Sequence, residues 1–181
     1  MSYPVTAVGT GADVAPLGRD QTTKNVRTWK TITLGNYGTV IELRDALVHQ
    51  NIWIGDIAGQ MLRLPTFALT SGQADIALSI ASVRQLGLQS GTSFTKIHAS
   101  AMEHGLDLCP PEVGPQLRLQ YLDQKVGEYL LIGMKPLPTA DGPLACFVVG
   151  NGGAGLFIIG RSAGAESTVP SRARLVFVLR Q

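Results

Sequence analysis

A chain of 181 residues with a formal net charge of +2 holds one domain's worth of sequence, enough to bury most of its apolar surface without cross-links. Its two cysteines, Cys109 and Cys146, are too few for a disulfide scaffold or for a zinc site and read as two buried thiols. No run of about eighteen apolar residues could span a membrane, and no basic start leading into an apolar core marks a secretory signal. A cytoplasmic location, or one inside a particle assembled in the cytoplasm, is therefore expected, with no cofactor and no metal.

In chain order, residues 1–26 mix Gly, Thr, Pro and Ala with small apolar residues and show no sustained period, so an extended N-terminal arm is expected ahead of a single domain over 27–181. From Arg27 to Leu34, Thr28 and Lys30 alternate with Trp29, Thr31 and Thr33, which predicts a short strand. After a turn at Gly35 to Gly38, Thr39 and Glu42 have capping-box spacing and start a helix whose apolar face is Val40, Leu43 and Leu47. Ile54, Ile57, Met61 and Leu62 then recur at helical spacing up to Pro65, with Gly55 and Gly59 on one face as a place of close approach and Trp53 as a core anchor. Asp75 to Ser82 reads as a strand from its Ile76, Leu78, Ile80 alternation. Thr92 or Ser93 caps a helix over Phe94 to His104 with a buried stripe of Phe94, Ile97 and Ala101, closed by Gly105 and Leu106.

The Gly105–Pro138 stretch is the easiest to read. Cys109 to Pro115 form a proline-punctuated connector, Leu117, Leu119 and Tyr121 alternate with Arg118 and Gln120 as on a half-buried strand, and Leu122 to Gly127 suits a hairpin reversal into a second strand over Glu128 to Met134. Ala145 to Gly150 and Gly155 to Gly160 form another hairpin around Asn151 to Ala154. The last strand, Arg172 to Arg180, has apolar residues on both parities and is expected to be central or covered by a partner. The sum is an α+β fold of five or six mostly antiparallel strands, with two or three helices in the N-terminal part.

That stretch, through Cys109, Pro110, Glu112, Gly114, Arg118, Gln120, Tyr121, Gln124 and Glu128, resembles a block of small bacterial proteins of unknown function, some labelled "helicase" without a helicase motif. The resemblance implies no catalytic or ligand residues. Members of that family have an acidic, aromatic-rich segment before the last strand, where this chain has the glycine-rich GNGGAGLFIIGRSAGAE.

Motif-shaped strings need the right surroundings. Gly150 to Gly155 fits GxGxxG, but a strand-forming LFIIG follows instead of the helix that holds a pyrophosphate. Gly160 to Gly164 fits GxSxG around Ser162, yet His49, His98 and His104 all precede it and no helix follows. Cys109 with His98 or His104 as base is the other nucleophile to weigh. No phosphate loop, HExxH pair or EF-hand loop occurs. The basic residues cluster at the ends, Arg19, Lys24, Arg27 and Lys30 near the start and Arg161, Arg172, Arg174 and Arg180 near the finish, without interleaved aromatics for stacking bases. The expected function is a non-catalytic structural or protein-interaction module that self-associates, such as a component of a virion or mobile-element assembly. The alternatives are a small hydrolase using Cys109 or Ser162, and a weak, non-specific nucleic-acid binder.

Overall fold

A computed structural model describes residues 27–140 and 142–180; the expected arm over residues 1–26 lies outside the described residues. The elements, in order, are β1 (Lys30–Leu34), α1 (Val40–His49), β2 (Trp53–Ile54), α2 (Asp56–Leu62), β3 (Ala74–Ser82), β4 (Thr92–Ser93), α3 (Phe94–Glu103), β5 (Leu106–Asp107), α4 (Val113–Gln120), β6 (Tyr129–Ile132), β7 (Leu137–Pro138), β8 (Leu144–Gly152), β9 (Gly155–Ser162), β10 (Thr168–Val169) and β11 (Arg174–Leu179). The α+β class holds. The strands exceed expectation, because nine join one curled sheet ordered β1-β3-β11-β6-β8-β9-β2, with β5 added on β11 and β7 on β8, while β10 and β4 form a separate pair. Pairing is antiparallel apart from β11 with β6 and β2 with β9. The extra strands are mostly two residues long, too short to carry a period.

The local signals near the start act as read. Thr39 Oγ1 accepts from Glu42 N–H at 3.2 Å while Glu42 Oε2 accepts from Thr39 N–H at 3.0 Å, so both members of the capping box are made. Leu43 and Leu47 of α1 and Phe94, Ile97 and Ala101 of α3 are buried. Gly105 has φ of +75°, the left-handed ending that α3 needs, and Leu106 behind it is fully buried. The last strand is central, lying between β3 and β6, with Leu175, Val176 and Phe177 at 0% exposure.

Three expectations are corrected. The segment Leu117 to Tyr121 is not a strand: Val113–Gln120 is a helix, and Leu122 to Gly127 links it to β6 rather than reversing a hairpin. The alternation misleads because α4 is buried on every side, in contact with α1, β1, β8 and β9, so that Gln116 and Arg118 are as buried as Leu117. Pro115 is tolerated because it falls in the first turn, where its missing N–H has no helical partner to lose. Second, Ile54 belongs to β2 and not to the following helix, which begins at Asp56 after Gly55. Gly55 does sit at a close approach, since a Cβ there would lie 3.0 Å from Ile159 Cγ2, whereas Gly59 has room to spare. Third, Trp53 is not a core anchor: it is 65% exposed.

Candidate functional site

The block around α4 is the densest polar cluster among the described residues, and its chemistry is internal. Glu112, Gln116 and Gln120 fall four apart and so share one face of α4. The Glu112 carboxylate accepts from the N–H of Gly35 at 2.8 Å and of Thr70 at 2.6 Å, and from the Gln116 amide at 2.9 Å. Burial alone would raise its pKa, but the Thr70 and Gly35 backbone bonds and the Gln116 amide outweigh that and hold the carboxyl below the usual carboxylate range. Gln116 Oε1 accepts in turn from Asn36 and Gln120. Gln120 pairs with Thr33 as a strand would, Oε1 accepting from its N–H at 2.9 Å and Nε2 donating to its carbonyl at 2.8 Å.

Arg118, on another face, is wholly buried and donates to Gln124 Oε1, to the Tyr121 carbonyl and to Gly150 O at 3.0 Å. Burial lowers its guanidinium to about 10. Tyr121 OH donates to Glu128 at 2.7 Å, and Glu128 is ion-paired with Arg174. Burial and that Glu128 bond push the Tyr121 phenol up to about 12. Glu112, Arg118, Gln120, Tyr121, Gln124 and Glu128 thus join the block to β1, β8 and β11, and none is turned toward an open cleft by these bonds.

The nucleophile candidates are not brought into a working arrangement. Cys109 is buried, its Sγ contacts Val176 O at 3.4 Å, and burial raises its thiol far above the ordinary range. Cys146 is likewise buried, with its thiol pushed up to about 12 by desolvation. His104 Nδ1 is engaged with Ser100 O at 2.7 Å, and His98 lies edge-on to Phe94 with its imidazole pKa lowered by burial. Neither histidine has a hydrogen bond to Cys109 among the described residues. Ser162 ends β9 on an exposed hydroxyl pair with Ser167 at 2.8 Å, and a turn follows instead of a helix. Gly150 to Gly155 are the end of the β8–β9 hairpin. The described residues contain no group of three or more His, Cys, Asp or Glu placed to hold a metal ion.

What the sequence reading passed over, or in the case of Trp53 placed in the core, is on the surface. Tyr129, Gly150, Phe157 and Trp53 are register partners across β6, β8, β9 and β2, so they form one row on one side of the sheet. Phe157 lies between its neighbours, 5.6 Å from the Tyr129 ring and 6.4 Å from the Trp53 ring by centroid. Gly150 permits this, since a Cβ there would lie 2.4 Å from Phe157 Cζ; the ring occupies the space that any other residue would fill. Tyr129 is 53% and Trp53 65% exposed. Val126, also exposed, precedes Gly127, whose N–H bonds Asn151 O beside the row. The findable signal was a glycine in register opposite two aromatics, but it needs the strand pairing, which the sequence does not show. Compared with known proteins, the chain matches no family model, and no curated protein and no solved structure is significantly similar to it.

Proposed function

We propose that this protein is a non-catalytic structural module that self-associates, with the Trp53, Phe157 and Tyr129 row as part of its contact surface. The carrying observation is the exposure of Trp53 and Tyr129 on either side of Phe157, a contiguous aromatic surface. Large aromatics bury much area at little entropic cost and are enriched in protein contacts. The Trp53 and Phe157 rings meet edge-on at 70° and the Tyr129 and Phe157 rings are tilted at 45°, so the row offers no run of parallel faces along which successive bases could stack. That geometry favours a protein partner over single-stranded nucleic acid. The raised pKa values of both thiols and the isolated hydroxyl pair at Ser162 support the non-catalytic part of the reading.

An assembly subunit, such as a component of a virion or other mobile element, is the setting we propose; the low-period residues 1–26 and the basic chain ends support it. Kinship with the small bacterial proteins rests on the block's residues, which here serve the core. Light scattering on the full chain tests self-association: a mass above the 19.2 kDa of one chain is expected, falling toward it in a Trp53→Ser, Tyr129→Ser double variant. A single-chain mass for the wild type at every concentration sinks the reading, and an unchanged oligomer in the variant removes the aromatic row from it.

A further inference from the structure

We propose that Asn151 is a site of spontaneous deamidation, gated by opening of the loop over residues 122–127 and of the β8–β9 hairpin, and that the reaction turns a tie on that loop into a repulsive contact. The inference stands apart from the self-association reading. Asn151 is the one asparagine followed by glycine; Asn25, Asn36 and Asn51 precede Val, Tyr and Ile. The side-chain carbonyl of an asparagine is open to attack by the backbone nitrogen of the next residue, and a side chain on that residue hinders the attack. Gly152 offers no hindrance. Nor does the fold demand a glycine there: its φ lies outside the left-handed region, and a Cβ on it would sit 3.6 Å from Phe157 Cε1, an ordinary contact.

The step balances with water as its only co-reactant. The Gly152 nitrogen gives its proton to a solvent base and attacks Asn151 Cγ. The new C–N bond closes a succinimide ring while the Cγ–Nδ2 bond breaks, and the side-chain nitrogen leaves as ammonia. Water then opens either C–N bond of the ring, giving aspartate, or isoaspartate in which the main chain runs through the side-chain carbon.

In the closed fold the groups that must react are occupied. Asn151 Nδ2 donates to Gln124 O at 2.7 Å, Asn151 N–H donates to Glu128 O at 3.2 Å, and Asn151 O accepts from Gly127 N–H at 2.8 Å. Because Asn151 turns its backbone groups toward the β6 side, the alternation of an antiparallel ladder turns those of Gly152 toward β9, opposite Gly155. The attacking nitrogen is held in the ladder, and ring closure needs a twist out of the strand that ends at Gly152. Opening there is local. Gly153 and Ala154 at the hairpin tip are exposed, and residues 122–127 are exposed apart from Gln124, so few buried contacts resist it. Reclosure after the reaction is not equivalent. The Nδ2 donor is gone, and an aspartate carboxylate in its place faces the Gln124 carbonyl, acceptor against acceptor. Isoaspartate also lengthens the main chain and puts the Gly152–Gly155 pairing out of step. The modification is a one-way loosening of the loop that leads into Tyr129.

The test follows the full-length chain by peptide mapping during incubation in mildly alkaline buffer, folded and in unfolding guanidinium chloride. Amide-to-acid conversion at Asn151 is expected in both, at least about tenfold slower in the folded chain because only the opened fraction reacts. No conversion in the folded chain while the unfolded one reacts overturns Asn151 as a site of the native protein, and equal rates overturn the gate. In denaturant, Gly152→Ala should slow the reaction severalfold; an unchanged rate overturns the Gly152 nitrogen as attacker. Gln124→Ala removes the side-chain bonds that hold the loop to Glu128 O and Val149 O. It should raise the folded rate severalfold and leave the unfolded rate unchanged; a folded rate equal to that of the wild type overturns the loop as the gate. Hydrogen exchange at the Gly127 amide, followed on the wild type at denaturant concentrations below unfolding, asks the same question without a variant. Exchange and conversion should rise together, and conversion that rises alone overturns the loop. In chains aged to full conversion, Gly127 exchange should be faster than in fresh ones; an unchanged rate overturns the loosening.

Discussion

Glu112 is 1% exposed yet ionised, held by two backbone N–H groups and one amide, so it acts as a fixed anion that gathers the loops at Gly35 and Thr70 onto the start of α4. Its carboxyl pKa is depressed in the folded chain, and the sign of the pH effect follows. The stability it contributes is present above its unfolded pKa, about 4.3, and is lost as pH falls from there through the folded value. Glu112→Gln keeps the size and one acceptor but turns an NH₂ toward an N–H donor, so at pH 7 it should cost on the order of 1–3 kcal/mol. The gap between variant and wild type should then narrow on acidification. Urea titrations from pH 7 down to pH 3 check this. His98, also depressed by burial, weakens both proteins alike in acid, so only the difference reports on Glu112, and a constant gap would contradict the assignment. At the same scale, thiol- and serine-directed probes should leave Cys109 and Ser162 unmodified in the folded protein beyond slow background. Stoichiometric labelling of either would restore the hydrolase alternative.

At the scale of elements, α4 shows what the sequence conceals. Its neighbours were legible because their signals are local: a capping box at Thr39, a three-position stripe in α3, a glycine ending at Gly105 and a glycine-rich hairpin between β8 and β9. A helix enclosed on all sides has no polar face, and its Gln116 and Arg118 are buried and Gln120 half-buried, with Thr33, Asn36 and Gly150 among their partners coming from far away in sequence. The Leu117, Leu119, Tyr121 alternation was therefore accidental, and β2, β4 and β7, at two residues each, had no period to show. The same enclosure has a structural use. β1 ends the sheet, and an exposed end strand offers its free backbone groups to other chains; Gln120 closes this one at Thr33 with a side-chain amide bonded as a peptide would be. Gln120→Leu should leave the half-buried Thr33 groups without the amide and cost about 1 kcal/mol, read as a lower urea midpoint with an unchanged slope. If the variant is as stable as the wild type, water replaces the amide and the closure is dispensable.

For the whole molecule, composition could not tell which charges are free. Among the described residues no helix is long and apolar enough to cross a membrane, and the charge map now bears on nucleic acid. The basic C-terminal end that sequence singled out is largely engaged: Arg174 pairs with Glu128, Arg180 with Asp107, and Arg161 donates to Thr168 O at 3.0 Å. The Arg180 partner holds the Asp107 carboxyl below its usual range, so that pair stays charged through mildly acid conditions. Phosphate binding would have to compete with these carboxylates, and the net charge of +2 adds little long-range attraction. Each phosphate neutralised contributes a salt slope of about −0.9, so a protein making only a few such contacts binds weakly and releases its ligand over a modest rise in salt. Fluorescence anisotropy with a duplex and a single strand of random sequence should therefore show weak binding at low salt, equal for both, that disappears at near-physiological salt. Asp107→Asn frees Arg180 from its partner and should strengthen the low-salt signal while leaving sequence preference absent. A complex that survives near-physiological salt, or that prefers one sequence, would move the protein from an interaction module toward a nucleic-acid reader.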